Sequence, residues 1–142
     1  MGNCCKSSSK SGDNNKQSTP VPLACGKVTL IETLEKWEEK VSEANRRGKM
    51  VVVNFSASWC SPCRLIAPAF CNLAAKYESL MFLTVDVDEL SEFSTSWDIK
   101  ATPTFFFLKD GQQVDKLVGA NVEELISKTE AFAAGTNSMQ VR

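Results

Sequence analysis

Two short, nearly uninterrupted apolar runs constrain this chain more than any other feature. They are Met50-Val51-Val52-Val53-Asn54-Phe55 and the stretch from Leu80 to Val87. Neither approaches the eighteen or so apolar residues of a membrane span, and neither alternates as a half-solvated strand would. Runs of this kind suit central strands buried on both faces, which requires helices on each side of a sheet. The stretch between them supplies one. Cys60 to Tyr77 reads as a helix with Ile66, Phe70, Leu73 and Tyr77 on one side and an expected kink at Pro68.

The remaining elements fit around that unit. Lys27 to Ile31 reads as a strand, and Thr33 to Arg47 as a helix with Leu34, Trp37 and Val41 on its apolar face and Gly48 closing it. Glu89 to Trp97 reads as a short helix. Thr104–Leu108 and Val114–Val118 read as strands flanking the hairpin turn Lys109-Asp110-Gly111, and Val122–Phe132 as a closing helix with Val122, Leu125, Ile126, Thr129 and Phe132 inward. The order β-α-β-α-β-α-β-β-α makes the first three strands mutually parallel and the last hairpin antiparallel, in one mixed α/β sheet with helices on both faces. Residues 1–25, polar from residue 3 to 20, read as a disordered arm, 26–134 as the folded domain, and 135–142 as a flexible tail.

Charge and cysteine usage narrow the chemistry. Sixteen Lys and Arg against seventeen Asp and Glu leave a formal charge of −1, which gives no global reason to bind nucleic acid. The chain has no histidine, so Ser-His and Cys-His nucleophile pairs and His-containing zinc sites are excluded. Six cysteines stand at 4, 5, 25, 60, 63 and 71, not the even spread of a secreted disulfide framework, and nothing near the start resembles a secretory signal. In a reducing compartment a close cysteine pair is more often catalytic or metal-binding than structural.

That pair is Trp59-Cys60-Ser61-Pro62-Cys63, placed where the central strand ends and the next helix begins. The helix start leaves N–H groups unpaired and its dipole positive, which favours a thiolate on Cys60 and lowers its pKa. Cys63 lies one turn in, where it can close a short disulfide. Pro62 fits the first turn, where its missing N–H costs nothing. Trp59 offers an apolar, partly exposed face to a partner chain. The competing reading is half of a zinc site, but the other cysteines lie in the arm or singly on other elements, too few together to complete four ligands.

Taken with Pro68, Val85-Asp86-Val87-Asp88, Ala101-Thr102-Pro103-Thr104 and Gly119, this motif resembles the thioredoxin family over about residues 26–134, and within it the plant h type with an N-terminal extension. The resemblance implies the thioredoxin fold, a central mixed five-stranded sheet flanked by four helices. It implies a cis Pro103 facing the active-site disulfide, with Thr102, Pro103 and Gly119 meeting the bound peptide. The implied function is a protein-disulfide reductase with Cys60 as nucleophile and Cys63 as resolving thiol. Its partners are disulfide-containing target proteins, and thioredoxin reductase or glutathione and glutaredoxin as reductant. No metal or bound cofactor is required, because the dithiol is itself the redox group.

The sequence departs from the family pattern in several places. The buried aspartate of most thioredoxins is Asn54 here, and the lysine that usually pairs with it is Thr84. Replacing both together avoids a lone buried charge, which would cost several kcal/mol. Ser61 replaces the usual glycine, and a tryptophan commonly found at Ser56 is missing. Cys25 and Cys71 read as single cysteines with no role beyond packing, a regulatory thiol being the lesser reading. Asp86 and Asp88 read as a turn and a helix cap rather than metal ligands.

The N-terminal Met1-Gly2-Asn3-Cys4-Cys5-Lys6-Ser7 suggests myristoylation of Gly2 and palmitoylation of Cys4 or Cys5, although Lys6 stands where the acylation consensus wants Ser or Thr. Two acyl chains would hold the chain to a membrane that one binds only marginally. In some extended h-type thioredoxins an N-terminal cysteine instead takes part in regeneration through glutathione and glutaredoxin. The resulting expectation is a cytoplasmic monomer that associates with the plasma membrane or endomembranes. The alternative is a membrane-tethered adaptor that uses the fold only for docking, against which the intact cysteine pair argues.

Overall fold

The computed structural model describes residues 25–135. Its elements run β1 (Val28–Ile31), α1 (Leu34–Arg46), β2 (Met50–Ser56), α2 (Ser61–Lys76), β3 (Leu80–Asp86), α3 (Ser91–Ser96), β4 (Thr104–Lys109), β5 (Gln112–Val118) and α4 (Val122–Ala133). The five strands form one sheet in the order β1-β3-β2-β4-β5. β3 pairs in parallel with β1 and β2, while β4 pairs antiparallel with both β2 and β5. The two apolar runs are therefore β2 and β3, inside the sheet, as their composition requires.

Alternation along the strands divides the core into two layers. Val52, Phe82, Phe105 and Phe107 face α2 and α4, where they meet Ile66, Phe70, Leu125 and Phe132. Val51, Val53, Phe55, Leu83 and Phe106 face the other side, against Ala44, Trp37, Phe93 and Trp97. Phe55 is central there, with ring centroids of Trp97 at 5.4 Å and Phe106 at 5.7 Å. Such pairs add about 0.5–1.5 kcal/mol each beyond burial.

Local chemistry sets the element ends. Thr33 caps α1 by accepting from the Lys36 N–H at 3.1 Å, and Asn121 caps α4 by accepting from Glu124 at 3.0 Å. The β4–β5 turn places Asp110 at φ 55° and Gly111 at φ 79°. Positive φ at both central residues matches the right-handed twist of the strands, so Asp-Gly serves here for a physical reason. α2 runs through Pro68 as one helix.

Three expectations need correction. Leu34 is exposed, and the residue of α1 that is fully buried is Ala44, small enough to let the helix approach the sheet. On α4 the inward stripe is Leu125, Thr129 and Phe132, with Val122 and Ile126 left at its exposed margin. Cys25 and Cys71, read as separate cysteines, are joined in a disulfide with Cα atoms 6.2 Å apart. The first 24 residues, with Gly2, Cys4 and Cys5, and the tail from residue 136 lie outside the described residues. Among the described residues no helix is long and apolar enough to cross a membrane.

Candidate active site

β2, the central strand, delivers the chain to the end of the sheet where its C-terminus lies, and four residues later Cys60 becomes the N-cap of α2. Its backbone is extended, and its Sγ accepts the Cys63 N–H at 3.2 Å, the place a serine or aspartate oxygen takes at an ordinary helix start. Pro62 occupies the first turn. The loop is closed by the Cys60 N–H donating to Ala57 O at 3.2 Å and by Arg64 Nη1 donating to Ser58 O at 3.0 Å. Cys60 and Cys63 are joined in a disulfide with Cα atoms 5.2 Å apart. Both sulfurs sit in an apolar setting with Ala57 and Val87, and Cys63 is the deeper residue at 2% exposure against 4% for Cys60.

The segment before β4 closes over this pair. The Thr102–Pro103 peptide bond is cis, and Pro103 is buried. Gly119, at φ 102°, donates its N–H to Pro103 O at 2.9 Å and so fixes the segment to the end of β5. The Thr102 hydroxyl lies 3.3 Å from Cys60 Sγ, and the Thr102 carbonyl 3.5 Å from the same atom. A disulfide sulfur has no proton to donate, so in this state the hydroxyl donates to sulfur and the carbonyl makes only a contact. On reduction the same hydroxyl would favour negative charge on Cys60. That role was not visible in the sequence, because it depends on a contact across 42 residues.

Trp59 is 64% exposed beside the pair. Its indole Nε1–H donates to Asp88 Oδ2 at 2.6 Å, which fixes the ring. Asp86 makes the expected turn, accepting from the N–H groups of Asp88 and Glu89, whereas Asp88 holds the tryptophan rather than capping a helix. Trp59, Val87, Ile99, Ala101 and Thr102 border a hollow of about 280 Å³ next to Cys60. Ser61 and Pro62, at the start of α2, are exposed.

Asn54 and Thr84 are register partners on β2 and β3, buried to 3% and 0% exposure. They share the sheet face of Val52 and Phe82, beneath α2. Asn54 Oδ1 and Thr84 Oγ1 have no hydrogen-bond partner. Two neutral side chains thus stand side by side in the buried layer under the active-site helix, with no carboxylate between them.

The thioredoxin family model matches residues 28–131. The chain is 57% identical over 132 residues to an H-type thioredoxin of Populus jackii, covering 93% of this chain and 94% of that protein. It is 59% identical over 132 residues to thioredoxin H9 of Arabidopsis thaliana, covering 93% and 92%. Among solved structures it matches a wild-type poplar thioredoxin h with a TM-score of 0.75 and 61% identity, covering 80% of this chain and 100% of that one.

Proposed function

The chain belongs to the thioredoxin family, and on that premise we propose how its residues divide the work of reducing a disulfide. The protein is a thiol-disulfide oxidoreductase with the redox-active pair Cys60–Cys63. Members of this family act on disulfide targets and are reduced by thioredoxin reductase. In the proposed cycle the Cys60 thiolate attacks one sulfur of the target disulfide, and the other sulfur leaves as a thiolate and takes up a proton. Cys63 then loses its proton and attacks Cys60 Sγ. This frees the second target thiol and leaves the Cys60–Cys63 disulfide.

The observation that carries this assignment is the N-cap position of Cys60 Sγ, which faces a backbone N–H at 3.2 Å and the Thr102 hydroxyl at 3.3 Å. Both donors and the helix N-terminus favour charge on that sulfur, while Cys63 is one turn deeper. Thr102 and Pro103 hold the docked peptide, with Trp59 as an apolar wall and Gly119 fixing their backbone. A Cys63→Ser variant should trap target proteins as mixed disulfides that dithiothreitol releases. Trapping by Cys60→Ser through Cys63 instead would reverse the roles.

The arm adds a second proposal, resting on sequence alone. Gly2 and either Cys4 or Cys5 carry acyl groups, and Lys6, Lys10 and Lys16 add attraction to an anionic leaflet. Residues 1–20 fused to a fluorescent protein should mark membranes, and Gly2→Ala should release the fusion. A uniformly cytosolic wild-type fusion would sink the lipid reading and leave Cys4 and Cys5 to exchange with glutathione and glutaredoxin.

A further inference from the structure

Two cysteines outside the active site, 46 residues apart in sequence, meet at the opposite end of the domain. Cys25 stands just before β1, held in a turn by the Val28 N–H donating to its carbonyl at 2.7 Å. Because β1 is an edge strand, this bond ties the sheet margin to α2. Cys71 lies on the flank of α2, turned away from the Ile66, Phe70 and Leu73 stripe. The Cα separation of 6.2 Å is within disulfide range. Both residues are partly exposed, whereas Cys60 and Cys63 are 4% and 2% exposed. An external thiolate therefore has access to the second pair, and access is one of the factors that decide which disulfides exchange.

A second observation indicates what kind of molecule would reach it. A cleft of about 350 Å³ is bordered by Lys27, Lys40, Arg47, Lys49 and Glu78, and also by Ala74. Neither cysteine lines the cleft, but Lys27 is two residues from Cys25 and Ala74 one turn along α2 from Cys71, so an anion held there is brought toward the pair. Four cations face one lining carboxylate, although Lys27 is paired with Glu78 at 3.0 Å, and Lys40 and Arg47 with Glu43 at 3.3 and 2.9 Å. The excess positive charge suits a small anionic thiol or disulfide.

We propose that Cys25 and Cys71 form a second thiol-disulfide couple, closed by an anionic low-molecular-weight disulfide such as glutathione disulfide and opened by the Cys60–Cys63 dithiol of another copy. In closure, one cysteine thiolate attacks glutathione disulfide and releases one glutathione. The other cysteine then displaces the second, so a dithiol and one glutathione disulfide give a protein disulfide and two glutathiones. In opening, Cys60 attacks the Cys25–Cys71 bond and Cys63 resolves, so one copy ends as the disulfide and the other as two thiols. Transfer within one copy is excluded by distance. Cys71 lies eight residues beyond Cys63 on the same helix, about 12 Å along its axis, and exchange needs sulfurs in contact. The opening step rests on the reading of Cys60 and Cys63 given above.

The sequence makes the test direct, because trypsin places Cys25 on residues 17–27, Cys60 with Cys63 on 50–64, and Cys71 on 65–76. The full chain is reduced, treated with glutathione disulfide, quenched in acid, alkylated and digested. The expected product is peptide 17–27 linked to 65–76. It should be absent in Cys25→Ser, which should keep insulin reduction within twofold of wild type. Lys27→Glu with Lys49→Glu should slow closure by glutathione disulfide at least threefold without slowing closure by cystamine, a cationic disulfide. For opening, the closed Cys60→Ser, Cys63→Ser double variant serves as substrate. Catalytic wild type should speed its reduction by dithiothreitol at least tenfold. Absence of the linked peptide overturns the couple, and equal slowing of both oxidants overturns the anionic cleft. No acceleration by wild type that reduces insulin overturns the transfer between copies. Wild type inert toward insulin would instead overturn the reading of Cys60 and Cys63.

Discussion

Cys60→Ser should lower insulin reduction by at least about 10³-fold while leaving the fold intact. The two halves of that expectation have separate causes. Disulfide exchange requires a thiolate as attacking group, and a serine hydroxyl does not ionise near neutral pH, so no mixed disulfide can form at this position. The structural part of Cys60 is its N-cap, where its Sγ accepts the Cys63 N–H at 3.2 Å. Serine is among the best residues for that task, so α2 keeps its cap and the Thr102 hydroxyl keeps an acceptor nearby. The thermal midpoint of the variant should therefore match that of reduced wild type within a few degrees. Turbidity of insulin in dithiothreitol reads the first quantity, and circular dichroism on heating reads the second. Residual turnover above the dithiothreitol background would move the nucleophile elsewhere in the chain.

The parts of this molecule that were legible in the sequence are those that local pattern determines. Met50–Phe55 and Leu80–Val87 announce central strands because only burial on both faces tolerates such composition. Asp110-Gly111 announces a hairpin because both residues tolerate the positive φ that the turn requires. Cys60 and Cys63 announce a helix-start dithiol through their spacing. What escaped depends on contacts between distant residues. Nothing local to Asp88 shows that it will hold the Trp59 indole across 29 residues. Connectivity among six cysteines cannot be read from spacing, so the Cys25–Cys71 bond had to come from the fold. The buried helix faces differ from the apolar pattern by part of a turn for a related reason. Leu34 and Val122 are apolar and in phase, but each lies in the first turn of its helix, where the chain is still clear of the sheet.

Asn54→Asp should exchange stability for speed in the resolving step. The substitution preserves shape, so its cost is electrostatic. The new carboxyl would sit at about 3% exposure beside the uncharged Thr84. Burial penalises the ionised form, and no opposite charge stands at the partner position, so the folded-state pKa of the new aspartate lies above its unfolded value. The sign follows from that shift. Below the unfolded pKa, about 3.9, both states are neutral and the variant matches wild type. As pH rises toward the folded pKa, the unfolded state ionises and the folded state does not, and the variant loses stability progressively. Above the folded pKa the loss is complete, and a shift of two to three units corresponds to about 3–4 kcal/mol. Urea unfolding at pH 4 and pH 8 measures this, and equal loss at both would mean a packing defect instead. The kinetic gain arises from the same placement, under the helix that carries Cys63. Once partly ionised, the carboxylate supplies a base where Asn54 offers none, and a positioned base contributes up to about 10²–10⁴ in rate. Stopped-flow release of a mixed disulfide should show faster resolution near neutral pH and a flatter dependence on pH. An unchanged profile would mean that water already removes the Cys63 proton fast enough, and that the neutral pair Asn54 and Thr84 serves this domain chiefly by sparing it a buried charge.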